Sequence, residues 1–130
     1  MEFAMMVLGA PYSHQAVHSA IRFAEALPLS GHRLATAFFY HDGVYTASRL
    51  VTPPQDEPHL TARWQAIVQA QDTQLQVCIA AALRRGIIDA GEAERHTLPC
   101  ANLAEGFMLA GLSEWLVAAR QCDRTITFAP

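Results

Sequence analysis

The sequence predicts an α/β fold, a small doubly wound and mainly parallel sheet with helices on both faces in the flavodoxin or Rossmann manner. Three observations carry that expectation. Residues 2 to 8 are almost wholly apolar, as a parallel strand covered on both faces must be. Strand-like runs then alternate with stretches of helical periodicity, a pattern that calls for right-handed crossovers between parallel strands. The length of 130 residues suits one domain, 1–130, able to bury a core without staples.

Taken in order, the first strand gives way to Gly9-Ala-Pro-Tyr12, a turn, and Ser13 is placed to cap a helix. From His14 to about Leu27 the residues Ala16, Ala20, Phe23, Ala24 and Leu27 recur at helical spacing, with Val17 and Ile21 widening the stripe. Pro28 ends or bends that helix and Gly31 closes the connection. The aromatic-rich run Arg33 to Tyr40 reads as the second strand, turning at His41-Asp-Gly43. A short helix over Val44 to Val51 and an extended Pro-rich loop over Thr52 to Pro58 follow. His59 to Ala70 sets Leu60, Trp64, Ile67 and Val68 on one helical face. Leu75 to Ile79 is the third strand, and it delivers Cys78 to a loop or helix start followed by Arg84 and Arg85. Asp89-Ala-Gly-Glu92 has the spacing of a capping box for a short helix reaching Arg95. After a loop-like Thr97 to Glu105, a brief strand at 107–109, a helix marked by Leu112, Trp115, Leu116 and Ala119, and a strand at 123–128 complete the chain.

Composition removes several functions. A net charge of −3 argues against a nucleic-acid scaffold, which needs a basic face. All 9 cationic residues are arginines, so Schiff-base chemistry and a Walker-type phosphate loop lack their lysine. The opening apolar run is too short for a membrane span and has neither the basic start nor the cleavage site of a signal peptide, so a cytoplasmic protein is expected. The 3 cysteines, Cys78, Cys100 and Cys122, share no flanking pattern, show no C-x-x-C, and are expected to be reduced thiols.

Among the chemistry-bearing residues, Cys78 is the main candidate. A thiolate is far more reactive than a thiol, and a helix N-terminus or a nearby arginine pair favours the charged form. Composition and spacing alone favour the other reading, a small core hydrophobe, because free cysteine is among the most buried residue types. The carboxyl end of a strand, where sites of such folds lie, narrows that difference. His14 and His18 have the i, i+4 spacing of metal ligands but no third partner, so solvent-facing histidines are the favoured reading. His41-Asp42 with a distant serine suggests a hydrolase triad, but the G-x-S-x-G elbow is missing. Gly9-x-Pro-Tyr does not supply a dinucleotide fingerprint, so a nucleotide or flavin module rests on fold class alone.

The segments Phe38-Phe-Tyr-His-Asp-Gly-Val44, Thr52-Pro-Pro-Gln-Asp-Glu57, Cys78-Ile-Ala-Ala-Ala-Leu-Arg-Arg-Gly86 and Gly106-Phe-Met-Leu-Ala-Gly-Leu112 closely resemble the DsrE/TusD sulfurtransferase family, in the same order and over essentially the whole chain. The resemblance implies that Cys78 carries sulfur as a persulfide, taken from a TusA-like donor and handed to a TusE-like acceptor. It implies TusB-like and TusC-like partner subunits in a dimer of heterotrimers, with no metal or organic cofactor. The sulfur would serve wobble 2-thiouridine formation in tRNA, without direct contact between this chain and nucleic acid. Arg84 and Arg85 become candidates for stabilising the anionic sulfur, and Cys78 is expected on an accessible rim. The Pro-Tyr-Ser-His-Gln-Ala run after the first strand resembles the DsrE branch, which keeps two alternatives open: sulfur trafficking in dissimilatory sulfur oxidation, or a non-catalytic structural subunit of the same assembly. Cys100 and Cys122 have no role that the resemblance assigns.

Overall fold

The computed structural model describes residues 1–130. Five strands form, β1 (Glu2–Val7), β2 (Arg33–Phe39), β3 (Gln74–Cys78), β4 (Phe107–Ala110) and β5 (Arg124–Phe128). They make one sheet in the order β4-β3-β2-β1-β5, and every neighbouring pair is parallel. The first four strands step outward one place at a time; the link from β4 to β5 returns across the whole sheet. Helices α1 (Ala16–Ala26), α2 (Leu60–Gln71), α3 (Ile79–Arg84), α4 (Ala90–Arg95) and α5 (Leu112–Gln121) supply the crossovers. The α/β class and the parallel doubly wound sheet are therefore as the sequence predicts.

Adjacent aromatic residues of β2 show how the layers divide. Phe39 meets Trp64 of α2 edge-on, with ring centroids 5.2 Å apart, whereas Phe38 meets Trp115 of α5 at 5.8 Å. Successive strand residues point to opposite faces, so α2, with α1 packed beside it, covers one face and α5 covers the other. Val7, Ala37, Phe39, Leu75 and Val77 are fully buried in the resulting core. The larger side chains among them, Val7, Phe39, Leu75 and Val77, each contribute about 1.5–3 kcal/mol by leaving water. The apolar strand runs visible in the sequence are the ones the two layers cover.

Several boundaries move for identifiable reasons. Ser13 caps nothing: Tyr12 takes a left-handed φ of 66°, and α1 starts behind Gln15, which offers no side-chain cap. His14 therefore precedes the helix, and the His14/His18 pair is not presented on one helical face. The short helix expected at 44–51 lies earlier, as a 3-10 segment His41–Ala47. Gly43 allows this, because a Cβ there would run into the Val7 carbonyl oxygen. His59, read as the first residue of a helix, is instead the N-cap of α2, its ring accepting from the Ala62 amide at 3.3 Å. Pro28 ends α1 as expected, opening a 3-10 turn that Gly31 closes at φ 72°. Asp89 caps α4 as its spacing predicts, accepting from the Glu92 amide at 2.8 Å.

Candidate functional site

Cys78 is the last residue of β3 and the N-cap residue of α3. The run Ile79-Ala-Ala-Ala-Leu turns helical at once because it consists of a strand-ending residue followed by strong helix formers. The first amides of α3 have no intrahelical acceptor and follow directly on the cysteine. The sulfur makes no hydrogen bond. In register, Cys78 lies beside Ala110 of β4. Of the 3 free thiols, Cys100 is exposed, Cys122 is half-buried, and Cys78 is buried.

That burial corrects the expectation of an accessible rim. Only 3% of Cys78 is exposed, and it belongs to the same apolar cluster as Val44, Ala47 and Ala81. The 3-10 segment 41–47 packs on α3 and on β3 and helps to close the carboxyl ends of the strands. Small residues on both sides let the segment and α3 come close enough to exclude water from the sulfur.

Arg84 and Arg85 stand at the far end of α3, and neither guanidinium contacts Cys78. Arg84 is exposed. Arg85 turns back across α3: its Nε donates to Asp42 Oδ1 at 2.8 Å and its Nη1 donates to the Ala81 carbonyl at 3.2 Å. Arg85 thus ties α3 to the 3-10 segment. Asp42 is a residue that the sequence did not single out for this role, since its cation lies 43 positions away. His41 stacks on Tyr40 with ring centroids 4.2 Å apart and makes no bond to Asp42, so the imagined triad has no His–Asp dyad. No group of three or more His, Cys, Asp or Glu is arranged to hold a metal ion.

A second tie holds the same end of the sheet. The Tyr12 hydroxyl donates to the Pro58 carbonyl at 2.9 Å and accepts from the Leu60 amide at 3.2 Å, joining the turn after β1 to the start of α2. The buried Thr61 hydroxyl donates to the Thr46 carbonyl at 2.7 Å and so pins the 3-10 segment from its other side. None of these contacts has a local sequence signal, because both partners are common surface types far apart in the chain.

Comparisons with known proteins identify the family. The family model described as DsrE/DsrF-like matches residues 1–128. TusD sulfurtransferases from an Enterobacter species and from Salmonella newport are 46% and 48% identical over 128 residues, covering 98% of this chain and 100% of theirs. The DsrE protein of Allochromatium vinosum is 44% identical over 98% of both chains. Among solved structures, the ychN protein from E. coli superposes with a TM-score of 0.76 at 26% identity, covering 98% of this chain and 100% of that one. The family model over residues 1–128 and the identity to curated sulfurtransferases over 98% of the chain make this protein a sulfurtransferase that belongs to the DsrE/DsrF-like family.

Proposed function

We propose that the protein relays sulfur as a persulfide on Cys78, taking it from a TusA-like donor and passing it to a TusE-like acceptor. The observation that carries this reading is position: of the three thiols, only Cys78 ends a sheet strand at the carboxyl side, where α/β folds place their chemistry. The Cys78 thiolate attacks the outer sulfur of the donor persulfide. The donor's S–S bond breaks, the donor leaves as a thiolate, and Cys78 holds the sulfur as its own persulfide until the acceptor repeats the exchange. No electrons are gained or lost overall. The free amides at the start of α3 are placed to favour either anionic form.

Because Cys78 is covered, docking of either partner must displace what covers it. The 3-10 segment 41–47 is the element to move, being short and held by a few polar contacts. By the family reading, the chain sits in the cytoplasm with TusB-like and TusC-like subunits in a dimer of heterotrimers, serving wobble 2-thiouridine formation. No helix is long and apolar enough to cross a membrane. The nearly equal identity to DsrE supports a second pathway, sulfur trafficking in dissimilatory sulfur oxidation. Neighbouring genes for a reverse-type sulfite reductase would select it.

The direct test is to incubate the protein with a persulfidated donor and map the added sulfur by mass spectrometry. One sulfur atom on Cys78 is expected, and none on a folded Cys78→Ser variant. Undiminished loading of that variant overturns the assignment.

A further inference from the structure

A separate concave surface lies at the amino end of the sheet, between α5 and the first residues of β1, β2 and β3. It is an open cleft of about 440 Å³ whose walls include Glu2, Arg33, Asp72, Gln76, Val117 and Gln121. Sulfur transfer at Cys78 makes no use of it.

Its chemistry is one-sided. Three carboxylates, Glu2, Asp72 and Glu114, share the cleft with one guanidinium. That guanidinium is already committed: Arg33 Nη2 and Nε donate to Glu2 Oε1 at 2.6 and 3.1 Å, and its Nη1 donates to the carbonyls of Gln71 and Asp72 at 3.4 and 3.5 Å. Glu2 Oε2 and the Asp72 carboxylate accept no hydrogen bond. Arg33 leaves nothing to attract an anion, and the unpaired groups are acceptors.

The second observation is Gln76, which is only 8% exposed. Its Nε2 donates to Gln74 Oε1 at 3.3 Å, while its own Oε1 is buried without any partner. Buried side-chain acceptors are seldom left unpaired, and this one belongs to the wall of the electronegative cleft. The last torsion of a glutamine is broad, so a small turn of the amide brings Oε1 to a donor entering the cleft. A third feature says what carries the donor. On α5 the cleft is lined by Val117, 54% exposed, and Ala118 between the polar residues Ser113, Glu114 and Gln121, and Leu116, next to Val117 in the chain, is 62% exposed beside it.

We propose that this cleft receives an arginine side chain presented by a protein partner, with apolar neighbours of that arginine resting on Leu116 and Val117. A guanidinium is planar and carries five donors, so it can meet Gln76 Oε1 and the free carboxylate oxygens together. The site is independent of the role of Cys78.

The test uses three probes in an amide NMR titration of the full chain at low salt: N-acetyl-arginine amide, the isosteric neutral N-acetyl-citrulline amide, and the capped tripeptide Leu-Arg-Leu. The arginine probe should shift the Gln76 side-chain amide saturably and bind about tenfold tighter than citrulline, a difference set by charge. The tripeptide should bind tighter again. Gln76→Leu and Asp72→Asn should each weaken the arginine probe at least about threefold, about half a decade in affinity. Asparagine is tolerated at the left-handed φ of Asp72, 54°, so that variant decides the matter if Gln76→Leu does not fold. Equal binding of citrulline, shifts confined to other surfaces, a tripeptide no tighter than arginine alone, or unchanged affinity in the folded variants each overturn the proposal.

Discussion

Removing the Asp42 carboxylate should expose Cys78 more often without touching it. Asp42 accepts from Arg85 at 2.8 Å, and the two side chains are 55% and 19% exposed. A hydrogen bond between charged groups contributes about 1.5–3 kcal/mol when buried. Half-exposure of the acid reduces this toward the surface-pair range, leaving about 1 kcal/mol. If the bond breaks whenever the 3-10 segment lifts from α3, Asp42→Ala raises the opening equilibrium about fivefold. With a slow thiol reagent the segment recloses before reaction, so the labelling rate of Cys78 follows that equilibrium. Cys100, exposed in the closed state, serves as the standard in the same sample. Glu25→Ala is the matched control: it removes the Arg63–Glu25 pair, 2.6 Å, between α1 and α2. Both variants should lose about 4 °C in Tm, the expected shift for about 1 kcal/mol in a chain of this size. Only Asp42→Ala should speed Cys78 labelling. Equal acceleration in both would mean that the cysteine is reached by global unfolding, and no acceleration in Asp42→Ala would refute the lifting segment.

Two further outcomes follow from local geometry. Gly43→Ala forces a methyl against the Val7 carbonyl; the segment must shift, and a loss of about 3 kcal/mol is expected in denaturant unfolding, at the upper end of ordinary overpacking costs. The Glu114 carboxyl is held below the usual glutamate range, first by its own backbone amide, then by the Ser113 hydroxyl and the Gly111 amide at the start of α5. A depressed acid stabilises the fold fully above its unfolded pKa, and that contribution fades as pH falls through the folded one. Glu114→Gln should therefore lower Tm at neutral pH, with the difference from the parent protein shrinking below about pH 4, near the ordinary glutamate pKa.

Much of this molecule was legible in order along the chain. The apolar runs at β1, β2 and β3 and the helical stripe of α1 register burial directly, because a strand covered on both faces has no polar positions to spare. Pro28 and Asp89 act where they stand, since a missing amide and a short capping carboxylate work within a few residues. Ser13 failed for the same reason in reverse: the Tyr12 hydroxyl bonds near Pro58 and Leu60 hold the turn in a shape that moves the helix start.

The sequence by itself determined the strand and helix order, the parallel α/β class, the family, and which thiol ends a strand. Tertiary structure decided how that thiol is guarded. Arg84 and Arg85 read as neighbours of Cys78, yet a helix advances about 1.5 Å per residue and carries both to its other end. There Arg85 finds Asp42, a partner that only the packing of β2 against β3 brings within reach. Burial of Cys78 is likewise a sum over segments distant in the chain, Val44 and Ala47 before it and Ala104 after it. Propensity and capping act between near neighbours and can be read from a string, whereas cover over a sulfur depends on which distant segments the sheet order brings together.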